Sequence, residues 1–285
     1  MDIFLWSMND FIEYLTFFND IPEKHIERVL RFPEQQYKRR FTEKGRSLHI
    51  PNNKLKRIQK VLVYGILDEL PIHKAAHGFM RKRSAVTHAS NHIGCSTLIT
   101  ADVKNFFDSL HFQLFKAVCK KHRWDREIVR MLRALCFYRD LERDNIFLPQ
   151  GTPTSPILSN VIMEPIDNLI STLAKKTDFV YSRFADDIAL SSKSIVDPYE
   201  LEAFVQQIHE VFSKYNLTLH KVYSGDPRKD IKITGIHVTR DGLEVPRKFK
   251  DQLEYRQLVL HEKDDNPNVT SRRAYIEYVE GPADE

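Results

Sequence analysis

Apolar residues recur at helical spacing early in the chain and later give way to short β-rich runs. Phe11, Leu15 and Phe18 predict an N-terminal helix, and a second opens at Pro22 with Ile26, Val29 and Leu30 on one side. From Asn53 to Leu70 a helix presents Leu55, Ile58, Leu62 and Ile66, and Pro71 closes it. After Gly78 the character changes. Ser96 to Val103 reads STLITADV, a β-rich run with an aspartate, Asp102, at its end, followed by Phe106, Phe107 and helical patterns from His111 to Tyr138. Pro149 to Pro156 is a Pro/Gly-interrupted loop before a long apolar helix from about Ile157 to Leu173. FVYSRFADDIALSS, from Phe179, reads as two strands meeting at Ala185, Asp186 and Asp187. A helix with Leu201, Phe204, Val205, Ile208 and Phe212 follows, then strands near Leu217 to Tyr223 and Ile231 to Val238. Thr239 to Gly242 has the chemistry of a tight turn, and a helical tail follows from Asp241. The order strand, helices, hairpin, helix, strand is that of a split βαβ sheet backed by helices, an α+β arrangement.

At 285 residues and 42% hydrophobic the chain can bury a real core, and 9 glycines and 13 prolines exclude collagen-like or linker-rich organisation. Three cysteines, Cys95, Cys119 and Cys136, have neither zinc nor redox spacing and suit a reducing, cytoplasmic setting. The first twenty residues lack the basic start of a secretory signal, and no apolar run reaches membrane-spanning length, so no membrane association is expected. The net charge of +4 decides little, but its distribution says more. Between Lys38 and Lys60 nine basic residues face one acid, Glu43: a patch suited to phosphate, or a solvated helix face.

Candidate chemistry sits at the acidic turn. Asp186 and Asp187 are flanked by Val180, Phe184, Ile188 and Leu190, which hold the hairpin against a core where neighbouring carboxylates repel. Alone, such a pair is most often a solvated turn. Asp102, ending a separate β-run, changes this: three acids from neighbouring strands form an all-oxygen site for two magnesium ions, suited to phosphoryl transfer.

These segments resemble a known family. TADVKNFFDSLHF around Asp102, LPQGTPTSPILSN from Leu148 to Asn160 and YSRFADDIALSS from Tyr181 resemble, in order, the core palm motifs of reverse transcriptases. GRSLHIPNNKLKRIQKVL from Gly45 and HGFMRKRSAVTHASNH from His77 are similar to the fingers motifs of bacterial members, so the likeness spans Arg39 to Val245. Retron reverse transcriptases are the subtype most resembled. Their Asn-Ala-x-x-His element is approached by His88, Ala89, Asn91 and His92, and their Val-Thr-Gly by Ile233, Thr234 and Gly235. Phe184 stands where the family has the tyrosine of Tyr-Ala-Asp-Asp, keeping the ring and losing a hydroxyl.

The resemblance implies a right-hand polymerase with fingers, a ferredoxin-like palm and a short helical thumb: an N-terminal helical cap over 1–37, fingers and palm over 38–240, and thumb over 241–285. It implies that Asp102, Asp186 and Asp187 are catalytic and, with Val103, hold two Mg2+ ions, for which Mn2+ can substitute. Arg46, Phe107, Gln150 and Gly151 fall at nucleotide-binding positions, Phe107 as a steric gate against the ribose 2′-hydroxyl. Arg83, His92, Arg247, Lys248, Lys250 and Arg256 fall where RNA or template is contacted. The implied partners are deoxynucleoside triphosphates, a cognate structured noncoding RNA with its DNA product (msDNA, joined through a 2′-5′ branch), and an effector protein encoded nearby, acting in antiphage defence. Two alternatives stay open: another bacterial reverse transcriptase (group II intron-like, diversity-generating or defence-associated), or a catalytically silent RNA-binding module.

Overall fold

The computed structural model describes residues 7–43, 45, 47–65, 67, 70–142, 144–227, 231–258 and 267–280. Its helices and strands, in chain order, are α1 (Met8–Glu13), α2 (Glu23–Arg31), β1 (Tyr37–Phe41), β2 (Ser47–Pro51), α3 (Asn53–Gly65), α4 (Ala85–Ser90), β3 (Thr97–Val103), α5 (Phe106–Ser109), α6 (Phe112–Lys121), α7 (Arg126–Cys136), β4 (Tyr138–Asp140) and β5 (Asn145–Phe147). They continue as α8 (Ser155–Lys176), β6 (Val180–Phe184), β7 (Asp187–Ser192), α9 (Pro198–Lys214), β8 (Leu219–Gly225), β9 (Lys232–Ile233), β10 (Ile236–Val238), β11 (Leu243–Glu244), α10 (Arg247–Leu258) and α11 (Pro267–Glu280). Two compact units interleave along the sequence, one of residues 1–74, 104–169 and 212–217, the other of 75–103, 170–211 and 218–285.

In the first unit α2 buries Ile26 and Val29, and α3 buries Leu55, Ile58 and Leu62, as their spacing predicts. Asn52 caps α3 by accepting from the Leu55 amide at 3.0 Å. The helix stops at Gly65, well short of Leu70; Ile66 lies outside the described residues, while Leu67 is buried beyond the helix end. The helical stretch expected from His111 to Tyr138 is two helices. Arg123 takes a left-handed conformation (φ 58°), and Asp125 starts α7 afresh, its carboxylate accepting from the Glu127 and Ile128 amides at 2.7 and 3.4 Å. Between α2 and α3, β1 and β2 form an antiparallel ribbon whose outer residues, Lys38, Arg39, Arg40 and Phe41, are exposed.

The second unit is built on a four-stranded antiparallel sheet ordered β6-β7-β3-β8. With β3 earliest in the chain, this order places the β6–β7 hairpin on one side of it and β8 on the other, the split βαβ connectivity read from the sequence. All the residues of β3 are buried or half-buried, so the strand has no solvent face; Leu98 packs in a core with Ala89, Ala189, Ile233, Ile236 and Val279. The strand expected from Ile231 to Val238 is a tight reversal, because Thr234 and Gly235 both take left-handed conformations (φ 51° and 82°) between β9 and β10. Thr239 to Gly242 is the turn joining β10 to β11. The C-terminal helices fold back on this unit: Val279 of α11 enters the core, Glu280 accepts from the Val245 amide at 2.6 Å, and the hydroxyls of Ser84 and Tyr278 are 2.9 Å apart.

A brace without regular secondary structure supports the β6–β7 turn. The Arg183 amide donates to the Ala75 carbonyl at 2.8 Å, and the His77 amide donates to the Arg183 carbonyl at 2.7 Å. Gly78 then passes so close to the turn that a β-carbon on it would lie 2.6 Å from the Ala185 nitrogen, a backbone atom that cannot swing aside. Gly78→Ala is therefore expected to destabilise the unit by about 1–3 kcal/mol, measured by urea unfolding; a variant as stable as the parent would show that the brace yields freely.

Candidate active site

The acidic turn is a two-residue reversal. Phe184 pairs with Asp187, leaving Ala185 and Asp186 at its tip, with Ala185 in the left-handed region (φ 56°), where a side chain costs energy. Several groups hold it there. Arg183 is fully buried and donates from its guanidinium to the Ala185 carbonyl at 2.9 Å. The Val103 amide donates to the Asp186 carbonyl at 2.9 Å, tying the end of β3 to the turn.

Register does the rest. Asp102 lies directly opposite Asp187 across the β3–β7 ladder, on the same sheet face, and the two carboxyls share a hydrogen bond. On the other side, the β3–β8 pairing shifts between Thr100 and Asp102, and Lys221 adopts a left-handed conformation (φ 51°) that sets its ammonium 2.5 Å from the Asp102 carboxylate. His220 donates from Nδ1 to the Asp102 carbonyl at 3.1 Å.

These contacts divide the charge unevenly. Burial works to raise the Asp102 pKa, but the hydrogen bond from Asp187 and the Lys221 ammonium outweigh it, and the group is held below the usual carboxylate range. Asp187 is pushed up to about 8 by burial first, then by its hydrogen bond to Asp102 and the charges of Asp186 and Asp102. Between them the pair retains a proton that two separate aspartates would lose.

Among the described residues no three His, Cys, Asp or Glu side chains form a ready-made metal cluster. Of the three carboxylates expected from the sequence, Asp102 and Asp187 share a hydrogen bond, and Asp186 stands next to them on the turn, its charge acting on Asp187. The repulsion between these carboxylates is eased at Asp102 by the Lys221 ammonium. Two crowded carboxylates are nonetheless a donor set that fits a hard divalent cation, since magnesium is commonly held by one or two carboxylates together with substrate phosphates.

The remaining expected site residues are distributed as follows. Phe107 and Phe106 stand on α5 in the first unit, their rings 5.3 Å apart and edge to face; Phe106 is buried and Phe107 half-buried. Gln150 and Gly151 also belong to that unit. The Gln150 carbonyl accepts from the His49 amide at 2.8 Å, and Gly151 has φ 106°, a conformation that calls for glycine. Arg46 and the side chain of Arg256 lie outside the described residues. Arg83 donates from its guanidinium to the Ala76 carbonyl, within the brace. Arg247 and Lys248 are exposed on α10, where Arg247 pairs with Asp251 at 3.8 Å, and Lys250 forms an ion pair with Glu280 at 2.8 Å.

His92 is a correction. It is 1% exposed, and its two ring nitrogens lie 2.7 Å from the Ser191 hydroxyl and 2.6 Å from that of Ser182. Burial, then the charge of His77, pushes its pKa down to about 3, so the ring is neutral and pins β6 to β7 by donating at one nitrogen and accepting at the other. A buried, doubly engaged imidazole does not meet RNA. Arg183, Gly78 and Lys221 were missed at the sequence level. Arg183 adjoins the acidic tetrad and was open to notice, whereas nothing local marks Lys221, whose role depends on strand pairing.

Comparison with known proteins agrees with this geometry. The family model described as reverse transcriptase (RNA-dependent DNA polymerase) matches residues 32–237, and the chain belongs to that family. Within it the chain is similar to retron enzymes. It is 29% identical over 209 residues to the retron Ec86 reverse transcriptase of Escherichia coli, covering 72% of this chain and 62% of that one. It is 28% identical over 277 residues to the retron Ec73 reverse transcriptase of the same organism, covering 88% and 84%. To the retron Mx162 reverse transcriptase of Myxococcus xanthus it is 27% identical over 241 residues, 76% of this chain and 50% of the relative. Among the described residues no helix is long and apolar enough to cross a membrane.

The raised Asp187 carboxyl has a measurable consequence. Below the ordinary carboxylate range both folded and unfolded chains hold its proton. From there up to about 8 the unfolded chain has released it and the folded chain has not, so rising pH removes stability. In the presence of a chelator, the melting temperature is expected to fall across this window, and Asp187→Asn should flatten the fall, each kcal/mol being worth roughly 2–4 °C. Parallel pH profiles for parent and variant would exclude the shared-proton arrangement.

Proposed function

We propose that the chain is an RNA-directed DNA polymerase of the retron type, which copies part of a cognate structured RNA into DNA. The observation that carries this reading is the Asp102–Asp187 pair, set opposite one another by strand register in a member of the reverse transcriptase family. In this reading the four-stranded sheet is a ferredoxin-like palm within 38–240, residues 1–37 are a helical cap, and 241–285 form a short thumb.

Asp102 and Asp187, with Asp186 and the Val103 carbonyl, would hold two Mg2+ ions, or Mn2+ in their place. When bound, the ions supply Lewis-acid stabilisation of the attacking 3′-oxygen and of the departing pyrophosphate. The chain's own residues do the positioning. Arg183, His92 and Gly78 fix the turn that presents the carboxylates, and Lys221 neutralises Asp102 until substrate arrives. Phe107 crowds the ribose 2′ position, Gln150 contacts the incoming nucleotide, and Gly151 lets backbone approach it closely. Arg46 takes the triphosphate, and Arg83, Arg247, Lys248, Lys250 and Arg256 take template or RNA phosphates. By likeness to the retron relatives, the product is msDNA joined to its RNA through a 2′-5′ branch, and the biological role is antiphage defence with an effector protein.

Primer extension on an RNA template with magnesium tests this. Asp186→Ala and Asp187→Ala are each expected to reduce synthesis by at least about 10²-fold while leaving RNA binding in place; wild-type rates in either variant would overturn the assignment. Phe107→Ala is expected to admit ribonucleotides, read as a fall in the ratio of deoxy- to ribonucleotide kcat/KM, and an unchanged ratio would remove Phe107 as the gate.

A further inference from the structure

The basic run between Lys38 and Lys60 does not stay together in the fold. Lys38, Arg39 and Arg40 lie on β1 of the ribbon, while Lys54, Lys56, Arg57 and Lys60 are carried by α3. A second basic stripe, absent from that run, joins them. On α2, Lys24, Arg28 and Arg31 recur at steps of four and three residues on the side away from the buried Ile26 and Val29, and all are exposed. On α3, burial of Leu55, Ile58 and Leu62 turns Lys54 and Arg57 outward in the same way, and this helix contains no acid.

The two helices pack together, and their charges converge on one group. His25, half-buried on α2, has its pKa lowered by burial and then by Lys54, Lys24, Arg57 and Arg28, two cations from each helix. Little on the protein offsets them. Among the described residues the one ion pair within this set is Arg57 with the exposed Asp20, at 3.8 Å; Glu23 and Glu27 are exposed on α2 without an ion pair to it. Phe32 follows α2, 41% exposed, with the Arg31 guanidinium 5.3 Å above its ring, so an aromatic side chain stands beside the cations.

We propose that the α2–α3 face is a phosphate-binding surface for the folded body of the RNA partner, separate from the residues assigned to nucleotide and template. The proposal rests on the retron reading. The family-wide match begins at residue 32, after α2 ends at Arg31, so half of this surface is built outside the region shared by reverse transcriptases at large, as a contact to a particular RNA would be. An anionic membrane fits less well, because both helices commit their apolar faces to the core and have none to insert.

The test uses the full chain, the transcript of the DNA flanking its coding sequence, and a short unrelated primer–template. Binding of the transcript is measured against KCl for the parent, for Lys24→Gln/Arg28→Gln/Lys54→Gln and for the charge-keeping Lys24→Arg/Arg28→Lys/Lys54→Arg. Neutralisation is expected to reduce the slope of log affinity against log salt by about 2–3, at 0.7–0.9 per phosphate contact. The charge-keeping variant should retain the parental slope, and all three proteins should extend the saturating short primer–template equally. An unchanged slope on neutralisation would overturn the proposal, as would an equal loss of binding to the short primer–template. Charge-dependent binding to phosphatidylserine vesicles with transcript binding intact would assign the face to a membrane instead. If the parent extends no primer, the polymerase reading fails, while the comparison of salt slopes still decides the surface.

Discussion

Two carboxyls set opposite one another in a buried ladder impose a cost that the surrounding structure has to meet. Asp102 and Asp187 meet it by sharing a proton and by drawing in Lys221, and the latter needs a shifted β3–β8 register and a residue in a left-handed conformation. The cost is also what gives the pair its chemistry, since a site that strains to ionise gains most when cationic charge arrives. The geometry that suits the pair to a cation and its local instability therefore have a common source.

Around that pair the protein spends unusual groups on rigidity. A fully buried arginine donates to a main-chain carbonyl, a neutral histidine links two strands through serine hydroxyls, and a glycine admits main chain against main chain. Each of these partners is fixed at short range, so the turn has little freedom to relax away from the conformation at Ala185. That histidine ends the segment resembling the Asn-Ala-x-x-His element, and in this chain it is an internal fastening rather than a recognition surface.

Periodicity made much of the fold legible, because α2, α3 and α9 each bury one clear stripe, α8 is marked by its apolar length, and the hairpin is marked by apolar residues on both sides of its acids. Boundaries were less legible where a single residue overrode the pattern. Asp125 starts a new helix inside an apparently continuous one, and Thr234 and Gly235 turn a strand back on itself. The aspartates could be singled out because their motifs are local. Lys221 acts on a pairing partner far off in sequence, and three acids at strand ends do not disclose that two of them would share a hydrogen bond. For Phe107, Gln150 and Gly151 the motifs supply the roles, and the geometry adds the main-chain conformation that Gly151 requires.

The docking of α11 carries a consequence for how the enzyme comes into being. Leu98, on the strand that bears Asp102, shares its core with Val279. In a chain made from its N-terminus, that strand waits with an apolar face incompletely covered until almost all the described residues exist, and contacts of such long sequence separation are slow to form. The N-terminal helices wait less long, since α1, α2 and α3 all pack against α7 in the first half of the chain. Synthesis thus completes the packing of the N-terminal helices before it completes the core beneath the strand that bears Asp102.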